Sequence, residues 1–325
     1  MHRALTRTAI VSGASIIALS TIALSGSSVA NAQVSPSPST SAAIASRAVV
    51  APAVVVARVL PTTRSTGWAA SGISHLTVYK GPYTITRSGT VIDGKSINHA
   101  LTIMANNETI RRSRILAGND FYAVRQSTKF RGLKLQYVEI GALPGKHPDR
   151  AFYGGTGVRL DHVNVHSTQR GIVITTGMSV TNSYFDGFSN STSNHASAAG
   201  TLGGTRRVRL INNVFGCGTH NCSPALSVYP QNPYGGNSDW IIDSNQFNGG
   251  SYCVYLGNLP SERPNTSIRF INNTFGVKYH ANCGLYGPVA SWSRPTNTWS
   301  NNRWFAPRSS KHKVLVRYPT VPLIT

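Results

Sequence analysis

Residues 208–215 read VRLINNVF, and residues 268–275 read IRFINNTF. A chain that writes one eight-residue phrase twice is built from copies, and more of them follow from a search. Aligned on the last apolar residue, they are TIRRSRI ending at Ile115, LKLQYVEI at Ile140, VRLDHVNV at Val165, MSVTNSYF at Phe185, the copy at Phe215, WIIDSNQF at Phe247, the copy at Phe275, and TWSNNRWF at Phe305. Successive anchors are 25, 25, 20, 30, 32, 28 and 30 residues apart. A period of this size marks a stacked repeat architecture, in which no unit buries its apolar face alone and neighbours share one continuous core.

The columns define the unit. Five positions before the anchor stand Ile110, Leu135, Leu160, Val180, Leu210, Ile242, Phe270 and Ser300, apolar in seven of eight copies. One position earlier stand Thr109, Lys134, Arg159, Ser179, Arg209, Ile241, Arg269 and Trp299, mostly polar. Alternation of this kind is the period of a strand. Three positions before the anchor, His162, Asn182, Asn212, Ser244, Asn272 and Asn302 supply turn formers, and stacked asparagines can bond one another. A further short strand precedes each unit: GIVIT (171–175), ALSVY (225–229), CVYLG (253–257). The 3.6-residue period of a helical solenoid is absent, and the units are too long for leucine-rich repeats. The expected fold is all-β: a single-stranded right-handed parallel β-helix of about eight to nine coils, its hand taken from the usual sense of parallel connections.

The order RGIVITTGMSVTNSYFDGF (170–188) resembles a coil of the pectate-lyase-like superfamily: first strand, tight turn, second strand, Asn-bearing bend, third strand. The resemblance covers about Thr77 to Phe305. It implies the fold. It also implies that a polysaccharide, if one is bound, lies on the outward face of the first strands and the loops beside them.

The ends differ from this body. Arg3 and Arg7 precede an apolar stretch from about Ile10 to Leu24 and an Ala30-Asn31-Ala32 cleavage signature, so residues 1–32 are expected to be a signal peptide and the protein secreted, extracellular or at the cell surface. Residues 33–66, rich in Ser, Pro, Ala and Val, read as a linker, and 67–325 as the β-helix domain with a C-terminal extension. The stretch AVVVARVL within the linker is alternatively a strand capping the domain. No later segment is long and apolar enough to span a bilayer, and a monomer is expected. The chain carries 31 Lys+Arg against 10 Asp+Glu. All the acids and 26 of the bases (31 less Arg3, Arg7, Arg47, Arg58 and Arg64) fall after residue 66, so the positive excess belongs to the domain.

Four cysteines in an exported chain suggest two disulfides. Cys217 and Cys222 share the loop CGTHNC. Cys253 and Cys283 are one coil apart, each read at the start of a first strand, where stacked strands lie about 4.8 Å apart. The favoured pairing of the three connectivities is therefore 217–222 with 253–283. A zinc site that includes His220 is the alternative.

Lining up the first strands gives a candidate ladder of Arg125, Arg150, Arg170 and His195, continued by Tyr252 and Tyr255. Guanidinium groups grip carboxylates in a two-point fork, and aromatic faces receive sugars, so the expected partner is an acidic polysaccharide. Lys134, Arg159, Arg209 and Arg269 form a rival basic column, joined by Arg206 and Arg207 in a turn. An inverting hydrolase needs a carboxyl pair on the first strands, and a calcium-dependent lyase needs two or three carboxylates around the metal. These columns offer neither, Asp186 follows the third strand, and Asp120, Asp149 and Asp161 read as isolated, so no cofactor is expected. Two readings remain. In a metal-independent lyase, Arg170 or His195 takes the proton, Arg150 neutralises the uronate carboxylate, Arg125 and Tyr252 help hold the chain, and Tyr255 protonates the leaving oxygen. In a surface or adhesin-like protein the same face only binds. Nucleic acid is not expected as a partner, because no nucleic-acid-binding fold accompanies the charge.

Overall fold

In the computed structural model the chain is a parallel β-helix. The structure describes residues 59–189, 195–219, 221–230, 233–257, 263–292 and 296–305. The expected signal peptide, the linker up to residue 58, His220 and the C-terminal extension from residue 306 lie outside these. Nine first strands form one parallel sheet: Thr84–Ile85, Leu101–Ile103, Tyr122–Gln126, Arg150–Tyr153, Arg170–Val173, Ala199–Gly200, Leu226–Ser227, Tyr252–Leu256 and Gly287–Trp292. The second and third strands of the coils form a parallel sheet of 17 strands.

The repeat columns are ladders of this second sheet. Lys134, Arg159, Ser179, Arg209, Ile241 and Arg269 pair in register along it, and Leu135, Leu160, Val180, Leu210, Ile242 and Phe270 form the buried column beside them. The last copy is shifted by one residue. Phe275 pairs with Trp304 and Phe270 with Trp299, so the anchor is Trp304 rather than Phe305, which is exposed. The shift removes the polar exception at Ser300 and places Asn301, not Asn302, at the bend. A further coil precedes the eight: Ile92 pairs with Ile110 and Ile97 with Ile115, with Gly94 at its bend. Inside, Phe185 stacks on Phe215 and Phe215 on Phe247, with ring centroids 5.0 and 5.6 Å apart.

Each bend has one physical signature. The residue three before the anchor is left-handed in every coil, with φ 47° at Arg112, 52° at Tyr137, 53° at His162, 50° at Asn182, 55° at Asn212, 58° at Ser244, 56° at Asn272 and 54° at Asn301. Asparagine adopts this conformation more cheaply than other side-chain-bearing residues, which accounts for its repetition there. The next residue turns inward and carries the second asparagine of each pair. Asn213 donates to Asn245 (2.9 Å), Asn245 to Asn273 (3.1 Å) and Asn273 to Asn302 (3.1 Å), all buried. Each side-chain oxygen also accepts the backbone N–H of the coil before it, and each amide donates to a backbone carbonyl such as Leu210 O. The column satisfies backbone groups that the sharp bend leaves without strand partners.

The domain begins earlier than residue 67. Pro61 and Thr66 are buried, the Gly67 amide donates to His162 O, and Asn212 Nδ2 donates to Val59 O, ahead of a short 3-10 helix, Trp68–Ser71. The disulfides are Cys217–Cys222 and Cys253–Cys283. Cys253 lies in a first strand, whereas Cys283 lies in the loop before Gly287–Trp292.

Asp186 anchors a clamp between distant coils. It is buried, and its carboxylate accepts Lys278 Nζ at 2.7 Å, the Tyr279 hydroxyl at 2.6 Å and its neighbour Gly187 N–H at 2.8 Å. A Cβ on Gly216 would stand 2.3 Å from Asp186 Cγ, so the glycine makes room for the carboxylate. Burial and the bond to Asp186 push Tyr279 up to about 12, and Lys278 is also raised, against a burial effect, by its bonds to Asp186 and Tyr279. Both groups keep their protons longer in the folded state, so their contribution is intact below about pH 10 and falls as pH rises beyond it. Tyr279→Phe is therefore expected to lower stability by about 1–3 kcal/mol at pH 8. The gap to wild type should be narrower at pH 11, read by denaturant melts. A gap that does not change with pH would contradict the bond as described.

Candidate functional site

Arg150, Arg170, His195 and Tyr255 line one open cleft on the first-strand face, with a volume of about 600 Å³. Its floor is made of small residues, among them Gly171, Ala196, Ser197, Gly200 and Ser227. Gly171 is required there, because a Cβ would meet Ala198 O at 1.8 Å.

At one end, Arg150 and Arg170 stand directly opposite each other on adjacent strands. Asp149 joins them. Arg150 Nη1 donates to Asp149 Oδ2 at 2.9 Å, and Arg170 donates to the same carboxylate through Nε at 2.8 Å and through Nη2. The three side chains are only 16–22% exposed, so this is not a loose surface pair. Burial, and after it the charge of Arg170, lower Arg150 from the usual guanidinium range. Arg150 also lies over the Phe121 ring at 5.0 Å and the Tyr122 ring at 5.9 Å. Asp149 is thus not isolated, as its sequence position suggests; the triad keeps one net positive charge and holds two guanidinium groups in place.

At the other end, His195 Nδ1 and Ser223 Oγ share a hydrogen bond of 2.8 Å. Burial raises the Tyr255 phenol, and the nearby Ser251 and Ser223 hydroxyls oppose the rise. Ser223 therefore neighbours both His195 and Tyr255. Its signal in the sequence is its place beside Cys222, one coil after His195.

The ladder is only partly in register. Tyr122, not Arg125, stands opposite Arg150, and Arg125 stands opposite Tyr153. Arg125 still reaches the group through the Tyr122 ring, 5.9 Å away, but does not line the cleft. Ile172 pairs with Ala199, which puts Ser197 opposite Arg170 and His195 two residues earlier, in the loop. Tyr252 lies outside the lining, its ring 6.0 Å from Tyr255 and 5.8 Å from Tyr286. Asp120 accepts the Gly118 amide, and Asp161 accepts Thr181 and Asn182, so neither enters the cleft. The rival basic column lies on the other sheet. Arg206 and Arg207 belong to the strand Arg206–Ile211, rather than to a turn. Among the described residues, no three His, Cys, Asp or Glu side chains gather where they could hold a metal ion, and no helix is long and apolar enough to cross a membrane. Both cysteine pairs are disulfide-bonded, which removes them as zinc ligands.

Fold and cleft together define a parallel β-helix protein with a basic and aromatic cleft on its first-strand sheet. No family model, no curated protein and no solved structure matches the chain.

Proposed function

We propose that this is a secreted protein, of the kind found in the pectate-lyase-like superfamily, whose cleft binds an acidic polysaccharide and cleaves it by metal-independent β-elimination. The observation that carries this reading is the meeting of an arginine pair with the hydrogen-bonded His195 and Ser223 and with Tyr255 in one cleft. The two disulfides suit an oxidising, extracellular setting.

The proposed roles follow the order of the residues along the cleft. Arg170, the nearer of the pair to His195 and Tyr255, neutralises the carboxylate of the reacting uronate, which makes the neighbouring C–H more acidic, and Arg150 binds the carboxylate of the next unit. Arg170 already donates two of its groups to Asp149, so His195 is the better placed proton acceptor. Its imidazole takes the proton beside the carboxylate, a double bond forms as the C4–O bond breaks, and the Tyr255 hydroxyl protonates the leaving oxygen. Ser223 then provides a path for the proton from His195 back to Tyr255. Asp149 acts as a positioning residue for the two arginines. From Arg150 to Tyr255 the cleft crosses four strand spacings, about 19 Å, so several sugar units fit along it.

Binding is tested by retention of the protein on polyuronate and glycosaminoglycan matrices at rising salt. Arg170→Gln is expected to weaken binding at least tenfold, since it removes a charge from a site that is mostly out of water, while the fold is kept. Equal retention of variant and wild type would sink the cleft as the binding site. A binding role without turnover is the second reading. It is favoured by the exposure of His195 and by the extra basic ladder Lys134, Arg159, Arg209 and Arg269 on the other sheet.

A further inference from the structure

A second concavity of about 220 Å³ opens beside the cleft, sharing Val173 and Leu202 with it. It lies where the strands Arg150–Tyr153 and Arg170–Val173 run into their following turns. Its lining is of another chemistry. Tyr153 and Tyr234 offer ring faces, Thr128, Thr156, Thr175 and Thr176 offer hydroxyl groups, and four glycines keep the backbone close. Among the described residues, no charged one lines it. Tyr234 and Leu202 are 58% and 41% exposed, large apolar surface left in water at the rim. The two tyrosines are close enough for Tyr234 to add to the burial and the Tyr122 effect that raise Tyr153, and Tyr153 itself is stacked on Tyr122 at 5.4 Å, which fixes its ring.

We propose that this side pocket is a subsite for an uncharged sugar unit, and that the substrate is therefore a mixed polymer, in which an acidic unit is joined to a neutral hexose or N-acetylhexosamine, and not a homopolymer of uronate. The inference rests on the cleft reading for its acidic neighbour. A carboxylate or sulfate in the side pocket would lose water without a cation in the lining to meet it; Arg125 stands on the neighbouring strand opposite Tyr153 and is not part of the lining. A neutral sugar presents an apolar ring face to Tyr153 or Tyr234 and hydroxyl groups to the threonines, the mixture of apolar walls and a few polar groups that small-molecule pockets use. Continuity through Val173 and Leu202 lets one chain, or a chain and its branch, occupy both sites.

Two measurements separate this subsite from the cleft. In the first, the ring resonances of Tyr153 and Tyr234 are followed while N-acetylglucosamine or galactose is added to the full protein. Both rings are expected to shift saturably, and Arg170→Gln should leave the shifts unchanged. Silent rings overturn the subsite even if the cleft binds acidic polymers. In the second, Tyr234→Ala is compared with wild type on an alternating uronate–N-acetylhexosamine oligosaccharide and on an oligouronate of equal charge. The variant is expected to bind the alternating ligand about three- to tenfold more weakly and the oligouronate equally well. Equal loss on both, or none on either, overturns it. If neither acidic ligand binds wild-type protein, the cleft reading fails, and the ring shifts alone still decide the side pocket.

Discussion

Replacing Asn245 with leucine is expected to destabilise the fold by about 3–5 kcal/mol, because each buried polar group left alone costs about 1–3 kcal/mol. Three groups lose their partner: the Asn213 backbone N–H, one Asn213 amide hydrogen, and Leu210 O. Leucine keeps the branching and heavy-atom count of asparagine, and its bulkier methyl groups add overpacking to the lost hydrogen bonds at this fully buried position. In a domain of this size the melting temperature should fall by about 10 °C. The neighbouring position gives the control. Asn272 is exposed and left-handed, with φ 56°. Asn272→Gly removes outer bonds to Asp243 and Asn301 but fits the bend without strain, so its effect should stay within about 1 kcal/mol. Within each INN motif the first asparagine makes the turn and the second holds the coils together. Similar losses from both substitutions, measured in denaturant, would refute that division.

The second large effect concerns turnover. His195→Ala is expected to lower kcat on a susceptible acidic polymer by about 10²–10⁴-fold, the usual contribution of a positioned base. In the proposed scheme the imidazole acts in proton transfer and not in holding the chain, so KM should change by no more than a few-fold. His195 is exposed and makes its hydrogen bond to Ser223 alone among those described, so the variant should melt with the wild type. Tyr255→Phe removes the proton donor and should give a loss of similar size. If His195→Ala raised KM and spared kcat, the histidine would be a binding residue and the elimination scheme would lose its base.

The stacking of the coils was readable in the sequence because each unit repeats its columns. Val180, Leu210 and Ile242 stand in one apolar column in both the text and the structure. In the sequence the last coil reads one residue out of step because Trp304 and Phe305 are both suitable anchors; the polar Ser300 in an otherwise apolar column is the sign of the slip. The first coil escaped notice because the step from Ile97 to Ile115 is short and its bend residue is Gly94 rather than asparagine. The site was harder to read. Several first strands face outward at both flanks of a buried pair, as in Tyr122 and Arg125, Arg150 and Tyr153, or Tyr252 and Tyr255. A basic residue beside two apolar ones therefore fits either flank, and Arg125 was set opposite Arg150 although it pairs with Tyr153. Asp149 read as isolated because its bond to Arg170 crosses a whole coil. Ser223 has no mark in the sequence beyond its place beside Cys222; its proposed role follows from the loop that brings it to His195.

Metal-free elimination of an acidic polysaccharide in the cleft is read by incubating the full protein with polyuronates and glycosaminoglycans, with a chelator present, and following the ultraviolet absorbance of unsaturated uronate. Rising absorbance is expected on at least one polymer, undiminished by the chelator and abolished in the His195→Ala protein. A flat trace on every polymer, or a rise that the chelator stops, would contradict it.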